Sequence, residues 1–140
     1  MERKDFLKNF AVGGSILLTA PVILNSCSKD DTDTDEPTPN PNEIIVDLNH
    51  ADNSALGTVG GYIYKGDIII FRSSDTNYGA LSKLCTHSEC TVIYDHANSI
   101  LPCPCHGSIF STSGAVNNGP AVGNLKKYTV KKDGNNLKIT

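Results

Sequence analysis

Cys85-Thr86-His87-Ser88-Glu89-Cys90, then twelve residues, then Cys103-Pro104-Cys105-His106-Gly107-Ser108: the rest of the chain is read outward from this stretch. Within 24 positions of a 140-residue chain, its two end segments hold four of the five cysteines and two of the four histidines. Thiolates and imidazoles are the softer ligands a protein can offer a metal, so the concentration points to metal chemistry. The residue types come in matched pairs, C-x-H and C-x-x-H, with fifteen residues between His87 and Cys103. Each segment can therefore give one sulfur and one ring nitrogen.

Three arrangements accommodate that pattern. A zinc ion takes about four Cys or His ligands in a tetrahedron. A two-iron, two-sulfide centre of the mixed-ligand kind takes two cysteines on one iron and two histidines on the other. Plain disulfides in an exported domain would use the cysteines without any metal. Only the second arrangement makes use of one Cys paired with one His in each segment. Cys90 and Cys105 are then left over, one per segment.

C-T-H-x-x-C followed by C-P-C-H-G-S resembles the two cluster-binding boxes of Rieske iron–sulfur proteins, most closely the disulfide-containing branch of cytochrome bc and b6f complexes. The likeness continues through Gly114 and through Gly119-Pro120-Ala121, which is similar to the proline-containing loop beside the cluster in that family; it covers roughly residues 44 to 140. The resemblance implies a [2Fe–2S] cofactor held by Cys85, His87, Cys103 and His106, with Cys90 and Cys105 joined as a disulfide. It implies three tuning positions: Ser108, matching a serine whose hydroxyl donates to a cluster sulfide, Phe110, and Pro120. High-potential members often carry Tyr where this chain has Phe110, so one donor is missing and a midpoint between the family's two subclasses is expected. Glu89 stands where the complex-bound proteins usually have Gly, which implies a docking tip unlike the one that meets cytochrome b.

Outside the boxes the chain divides by composition. Residues 1–27 carry three basic and two acidic groups, residues 28–42 a net charge of −4, and residues 43–140 eight charges of each sign. No basic face large enough for nucleic acid is expected from that distribution. The apolar run Phe10–Leu24 suits the core of a signal peptide and is short for a membrane span. It ends in Leu24-Asn25-Ser26-Cys27, which resembles a bacterial lipobox and implies cleavage after Ser26 and lipidation of Cys27. Arg3-Lys4-Asp5-Phe6-Leu7-Lys8 is similar to a twin-arginine export motif with Lys4 in place of the second arginine. Ser28 to Asn42 is acidic and proline-rich, without a large apolar side chain. Such a segment stays extended, and fifteen residues of it span up to about 45 Å. The expected organisation is a signal peptide at 1–26, a lipid-anchored tether at 27–42 and a cluster domain at 43–140.

Within that domain, short strand-like runs separated by turn residues predict an all-β fold, a Rieske-like antiparallel sandwich with the two cluster loops at one end. Strands are expected at Glu43–Leu48, Tyr62–Tyr64, Ile68–Phe71, Gly79–Leu84, Thr91–Tyr94, Ser99–Leu101, Lys126–Lys132 and Leu137–Thr140. Hairpin turns fall at Lys65-Gly66-Asp67 and at Asp133-Gly134-Asn135-Asn136. Residues 49–58 read as a loop or turn, and His50 and His96 as solvated loop residues.

No nucleophile–base pair or phosphate loop accompanies the boxes, so the expected activity is one-electron transfer without a substrate pocket of the chain's own. The expected partners are a redox donor and acceptor, drawn from cytochromes, quinol-linked complexes of the cytochrome bc type and molybdoenzymes of the arsenite oxidase kind. The expected location is the outer side of a bacterial membrane, periplasmic or at the surface, with the lipid as anchor.

Overall fold

The computed structural model describes residues 40–140. The expected signal, Cys27 and the tether up to residue 39 lie outside the described residues. Among the described residues no helix is long and apolar enough to cross a membrane.

Ile68-Ile69-Ile70-Phe71 explains the architecture. All four side chains are buried, in a strand whose neighbours in sequence point to opposite faces. Ile68 and Ile70 enter a core with Val46, Leu56, Ala80, Leu137 and Ile139. Ile69 and Phe71 enter a second core with Leu81, Val92, Leu101, Phe110 and Leu125. A strand that is apolar without alternation is one buried on both faces, and each such side chain contributes about 1.5–3 kcal/mol.

This strand, β3 (Ile68–Arg72), lies in a four-stranded antiparallel sheet ordered β2-β3-β4-β8, with β2 at Tyr62–Lys65, β4 at Tyr78–Ser82 and β8 at Lys127–Tyr128. One face shares its core with a sheet of β1 (Ile44–Asp47), β10 (Asn136–Ile139) and β9 (Val130–Asp133). The other face shares its core with a sheet of β5 (Ile100–Pro102), β6 (Ile109–Ser111) and β7 (Val116–Asn118). All pairings are antiparallel. The fold is all-β as expected, with three sheets and two cores. Both expected hairpins form, and each turns on a glycine of positive φ: Gly66 at +55° and Gly134 at +56°.

Four local expectations differ from the structure. Thr91–Tyr94 alternates exposed and buried side chains but joins no named strand. Ile93 N–H donates to Pro102 O at 3.1 Å, and proline has no N–H with which to extend the ladder back. Lys126–Lys132 is not one strand: β8 ends at Tyr128, Thr129 exchanges both backbone hydrogen bonds with Thr140 (2.8 and 3.0 Å), and β9 begins at Val130 in another sheet. Ala51–Gly57 is a 3₁₀ helix, with His50 as its N-cap accepting from Asp52 N–H at 3.3 Å. His50 therefore caps a helix. β6 and β7 lie where no strand was expected.

Candidate metal centre

The two segments, residues 85–90 and 103–108, fold into the same turn twice. In the first, Cys85 N–H donates to Cys90 O (2.8 Å) and Glu89 N–H to Cys85 O (2.8 Å). In the second, Cys103 N–H donates to Ser108 O (2.7 Å) and Gly107 N–H to Cys103 O (3.1 Å). In both, the fifth residue has a positive φ, +55° at Glu89 and +76° at Gly107. The six-residue loops 85–90 and 103–108 are thus conformational twins offset by eighteen positions. The β5–β6 hairpin sets the second loop, since Pro102 pairs with Ile109 across its base. The Leu84–Thr91 bridge closes the base of the first.

The loops sort their side chains by polarity. Cys85 and Cys103 are free thiols, each 1% exposed, while His87 and His106 are exposed. The two rings face each other with centroids 4.9 Å apart, edge to face. Cys90 and Cys105 are joined as a disulfide, linking one loop to the other across a sequence separation of 15. A bridge closing a loop of that length contributes about 3 kcal/mol.

The Cys85 thiol is held below the ordinary cysteine range. Burial pushes it up, and donors together outweigh burial: the His87 N–H, the Cys103 thiol, the Ser108 hydroxyl and the Ser88 N–H. Among the described residues no three Cys, His, Asp or Glu side chains group as ligands of a single ion. The candidates stand two and two, thiols inside and rings at the surface. Buried thiols beside a facing pair of imidazoles are the residue types that a [2Fe–2S] centre with mixed ligands takes.

A third loop, residues 119–125, closes over the pair. Ala121 N–H donates to Ser108 Oγ at 2.9 Å, and Thr86 Oγ1 donates to Gly123 O at 2.6 Å. Ser108 is fully buried. Pro120 is exposed and follows a cis peptide bond. Phe110 is also fully buried, between Leu101 and Val116 in the β5-β6-β7 sheet, where its ring packs and has nothing to donate. At the edge, Val122 is 96% exposed, and Glu89 is the sole formal charge in the three loops.

The sequence reading passed over two polar contacts here. Ser88 Oγ lies 3.1 Å from His106 Nδ1, so the hydroxyl of one loop meets the ring of the other. Asn118 Nδ2 donates to Gly107 O (3.4 Å) and Gly119 O (3.1 Å), tying the second loop to the third. Comparing the boxes with each other at their offset of eighteen would have shown the twin loops and drawn attention to Thr86 and Ser88. His96 stands apart from the centre: its Nδ1 lies 3.0 Å from the hydroxyl of the buried Tyr94, a structural contact.

Residues 46–129 match the family described as the Rieske [2Fe–2S] domain. The cytochrome b6-f complex iron–sulfur subunit of Chlorobaculum tepidum is 31% identical over 130 residues, covering 93% of this chain and 70% of that protein. The same subunit of Synechococcus sp. (strain JA-3-3Ab) is 37% identical over 79 residues, covering 54% of this chain and 45% of its own length. The chain therefore spans under half the length of that relative. Among solved structures, the plasma membrane Rieske protein of Synechocystis PCC 6803 is similar with a TM-score of 0.50 and 29% identity, over 57% of this chain and 84% of that one. A ferredoxin of carbazole 1,9a-dioxygenase from Nocardioides aromaticivorans IC177, at 24% identity and a TM-score of 0.52, shares the fold.

Proposed function

Since the chain belongs to the Rieske [2Fe–2S] family, we propose that it is a membrane-tethered one-electron carrier working on the outer side of the cytoplasmic membrane. Cys85 and Cys103 would hold the inner iron, and His87 and His106 the outer one. When bound, the cluster takes up and gives back a single electron. The observation that carries this reading is the pair of twin loops, which buries two free thiols and sets two facing imidazoles at the surface. The Cys90–Cys105 disulfide holds the loops together, and such a bond persists in the oxidising space outside the cytoplasm. The exposed rings form the edge at which a donor or acceptor approaches.

Chain organisation completes the proposal. Residues 1–26 act as an export signal, Cys27 takes the lipid, and residues 28–42 link it to the domain at 43–140. The partners are protein redox donors and acceptors, such as a quinol-linked complex and a cytochrome. A second reading, a subunit of a cytochrome bc-type complex, is favoured by the likeness to cytochrome b6-f subunits. Co-purification of a cytochrome b with the chain from membranes separates it from the free carrier.

The test of the main proposal is spectroscopic. Purified, dithionite-reduced protein is expected to give a rhombic EPR signal of low average g, lost in His87→Ala and in Cys103→Ala. Protein that carries zinc alone, or no metal, overturns the proposal. The midpoint is expected to fall inside the family's range of about −150 to +300 mV, below its upper end because Phe110 lacks a hydroxyl. A midpoint at about +300 mV refutes the argument from Phe110.

A further inference from the structure

Asn118-Gly119 is the one Asn-Gly pair in the 140 residues, and it stands where β7 runs into the third loop. Asn118 is the last residue of β7, the outer strand of its sheet. Its Nδ2 donates to Gly107 O at 3.4 Å and forward along the chain to Gly119 O at 3.1 Å. Asn118 and Gly119 are both exposed. We propose that Asn118 is a self-modification site: its carboxamide closes on the Gly119 nitrogen, loses ammonia and reopens as aspartate or isoaspartate, which unties the second loop from the third.

The reaction needs only water. The Gly119 nitrogen attacks Cγ of Asn118; the N–Cγ bond forms and the Cγ–Nδ2 bond breaks. The Gly119 amide proton leaves with Nδ2 as ammonia, and a cyclic imide remains. Water then adds to one of the two imide carbonyls. Opening at Cγ gives aspartate, and opening at the main-chain carbonyl gives isoaspartate, with the chain running through Cγ. One water enters and one ammonia leaves, and nothing is oxidised or reduced. Three features favour the step at this place. Glycine has no Cβ to shield its nitrogen. Among the described residues the Gly119 N–H makes no backbone hydrogen bond, so none has to break before that nitrogen attacks. The bond from Nδ2 to Gly119 O leans the carboxamide toward the residue it must meet. The product then reverses the contact. An amide NH₂ donates, whereas a carboxylate only accepts. Facing Gly107 O and Gly119 O, the new carboxylate meets two acceptors, and both hydrogen bonds are lost. A negative charge also arises beside loops in which Glu89 is the sole formal charge.

Mass spectrometry of the full-length protein tests this, and no readout depends on the proposed electron transfer. Purified protein is held folded in mildly alkaline buffer and sampled over days. The peptide that contains Asn118 is expected to gain one mass unit and to split into aspartyl and isoaspartyl forms, ahead of every other asparagine peptide. In Gly119→Ala the added Cβ meets only Ala121 O at 3.6 Å and Ala121 N at 3.8 Å, ordinary contacts. That variant keeps Asn118 and is expected to slow the gain severalfold by shielding the nitrogen. Asn118→Asp stands for the aspartyl product. Hydrogen exchange across residues 119–125 is expected to run about fivefold faster in it, the factor one net hydrogen bond is worth. An Asn118 peptide that keeps its mass in the folded protein and gains it only in urea overturns the site. An equal rate in Gly119→Ala overturns the route through that nitrogen. Unchanged exchange in Asn118→Asp overturns the untying of the loops.

Discussion

Glu89 occupies a conformation that its twin residue reserves for glycine. Its φ of +55° lies in the left-handed region, as does the +76° of Gly107. An L-residue with a Cβ pays about 1 kcal/mol or more there, whereas glycine adopts the region freely. Glu89→Gly is therefore expected to raise stability by about 0.5–1 kcal/mol after allowing for glycine's greater freedom in the unfolded chain. Gly107→Ala, at a position where an added Cβ meets nothing within 4 Å, is expected to lower stability by about 1 kcal/mol. Denaturant midpoints check both, and a destabilised Glu89→Gly would show that the carboxylate makes contacts that offset its strain. Tyr64 makes a different prediction. Its hydroxyl donates to Val92 O at 2.8 Å, and its pKa is pushed up to about 12, by burial first and then by Tyr62. The neutral phenol is the form the fold prefers. Its stability contribution is fully present below the unfolded value near 10 and is lost as pH rises toward 12. The thermal midpoint is expected to decline across that window in wild type and less steeply in Tyr64→Phe; parallel declines would remove Tyr64 as the cause.

At the scale of elements, the structure turns on how β3 packs. Phe71 pairs across the ladder with Gly79, and a Cβ at Gly79 would lie 2.3 Å from the Phe71 ring. The ring lies over the bare backbone and stacks on Tyr94 at 4.4 Å. Gly79→Ala must displace that ring from the core that also holds Cys85 and Cys103, at a cost of about 1–3 kcal/mol. A thermal midpoint unchanged in Gly79→Ala would contradict this packing. The sequence made β3 readable because four large apolar residues in a row have few other homes. The β2–β3 and β9–β10 hairpins were readable because Gly66 and Gly134 punctuate them. The metal centre was readable for a chemical reason: few other arrangements place Cys and His in matched pairs. What escaped was structure that depends on distant partners. Ile109-Phe110-Ser111 and Val116-Asn117-Asn118 are strands of three residues, too short for a period to show. Thr91–Tyr94 has the period of a strand but lies against Pro102, which cannot complete the ladder. The hydrogen bonds from Thr86 to Gly123 O and from Ala121 to Ser108 Oγ join residues 37 and 13 positions apart, and nothing local in the sequence announces them.

For the whole molecule, the proposed tethering asks what would keep an electrically balanced domain at a membrane. Residues 43–140 carry eight charges of each sign, so electrostatic attraction to a lipid surface is weak. None of the described helices crosses a bilayer. The proposed attachment would then fall to the N-terminal segment, and two devices there make opposite predictions. An uncleaved apolar run at Phe10–Leu24 would hold the chain by its own hydrophobicity, whatever stands at position 27. Lipidation at Cys27 would hold it through acyl chains, each buried CH₂ contributing about 0.8 kcal/mol, and more than one chain is needed for stable anchoring. Cys27→Ser separates them. If the lipid is the anchor, the variant is expected to move from the membrane pellet to the soluble fraction or to stall as an unprocessed precursor of higher mass. Mature wild type should carry the mass of the acyl groups on a chain that begins at Cys27. A Cys27→Ser protein of unchanged mass that remains in the pellet after a carbonate wash would assign the anchor to the apolar run. The acidic, proline-rich residues 28–42 would then lead from a span instead of a lipid, and the reach of about 45 Å would be measured from the bilayer face. In either case the domain itself, with its twin loops and disulfide, is expected to keep its EPR signal once it is folded and exported, because its ligands, cores and staple all lie C-terminal to the tether.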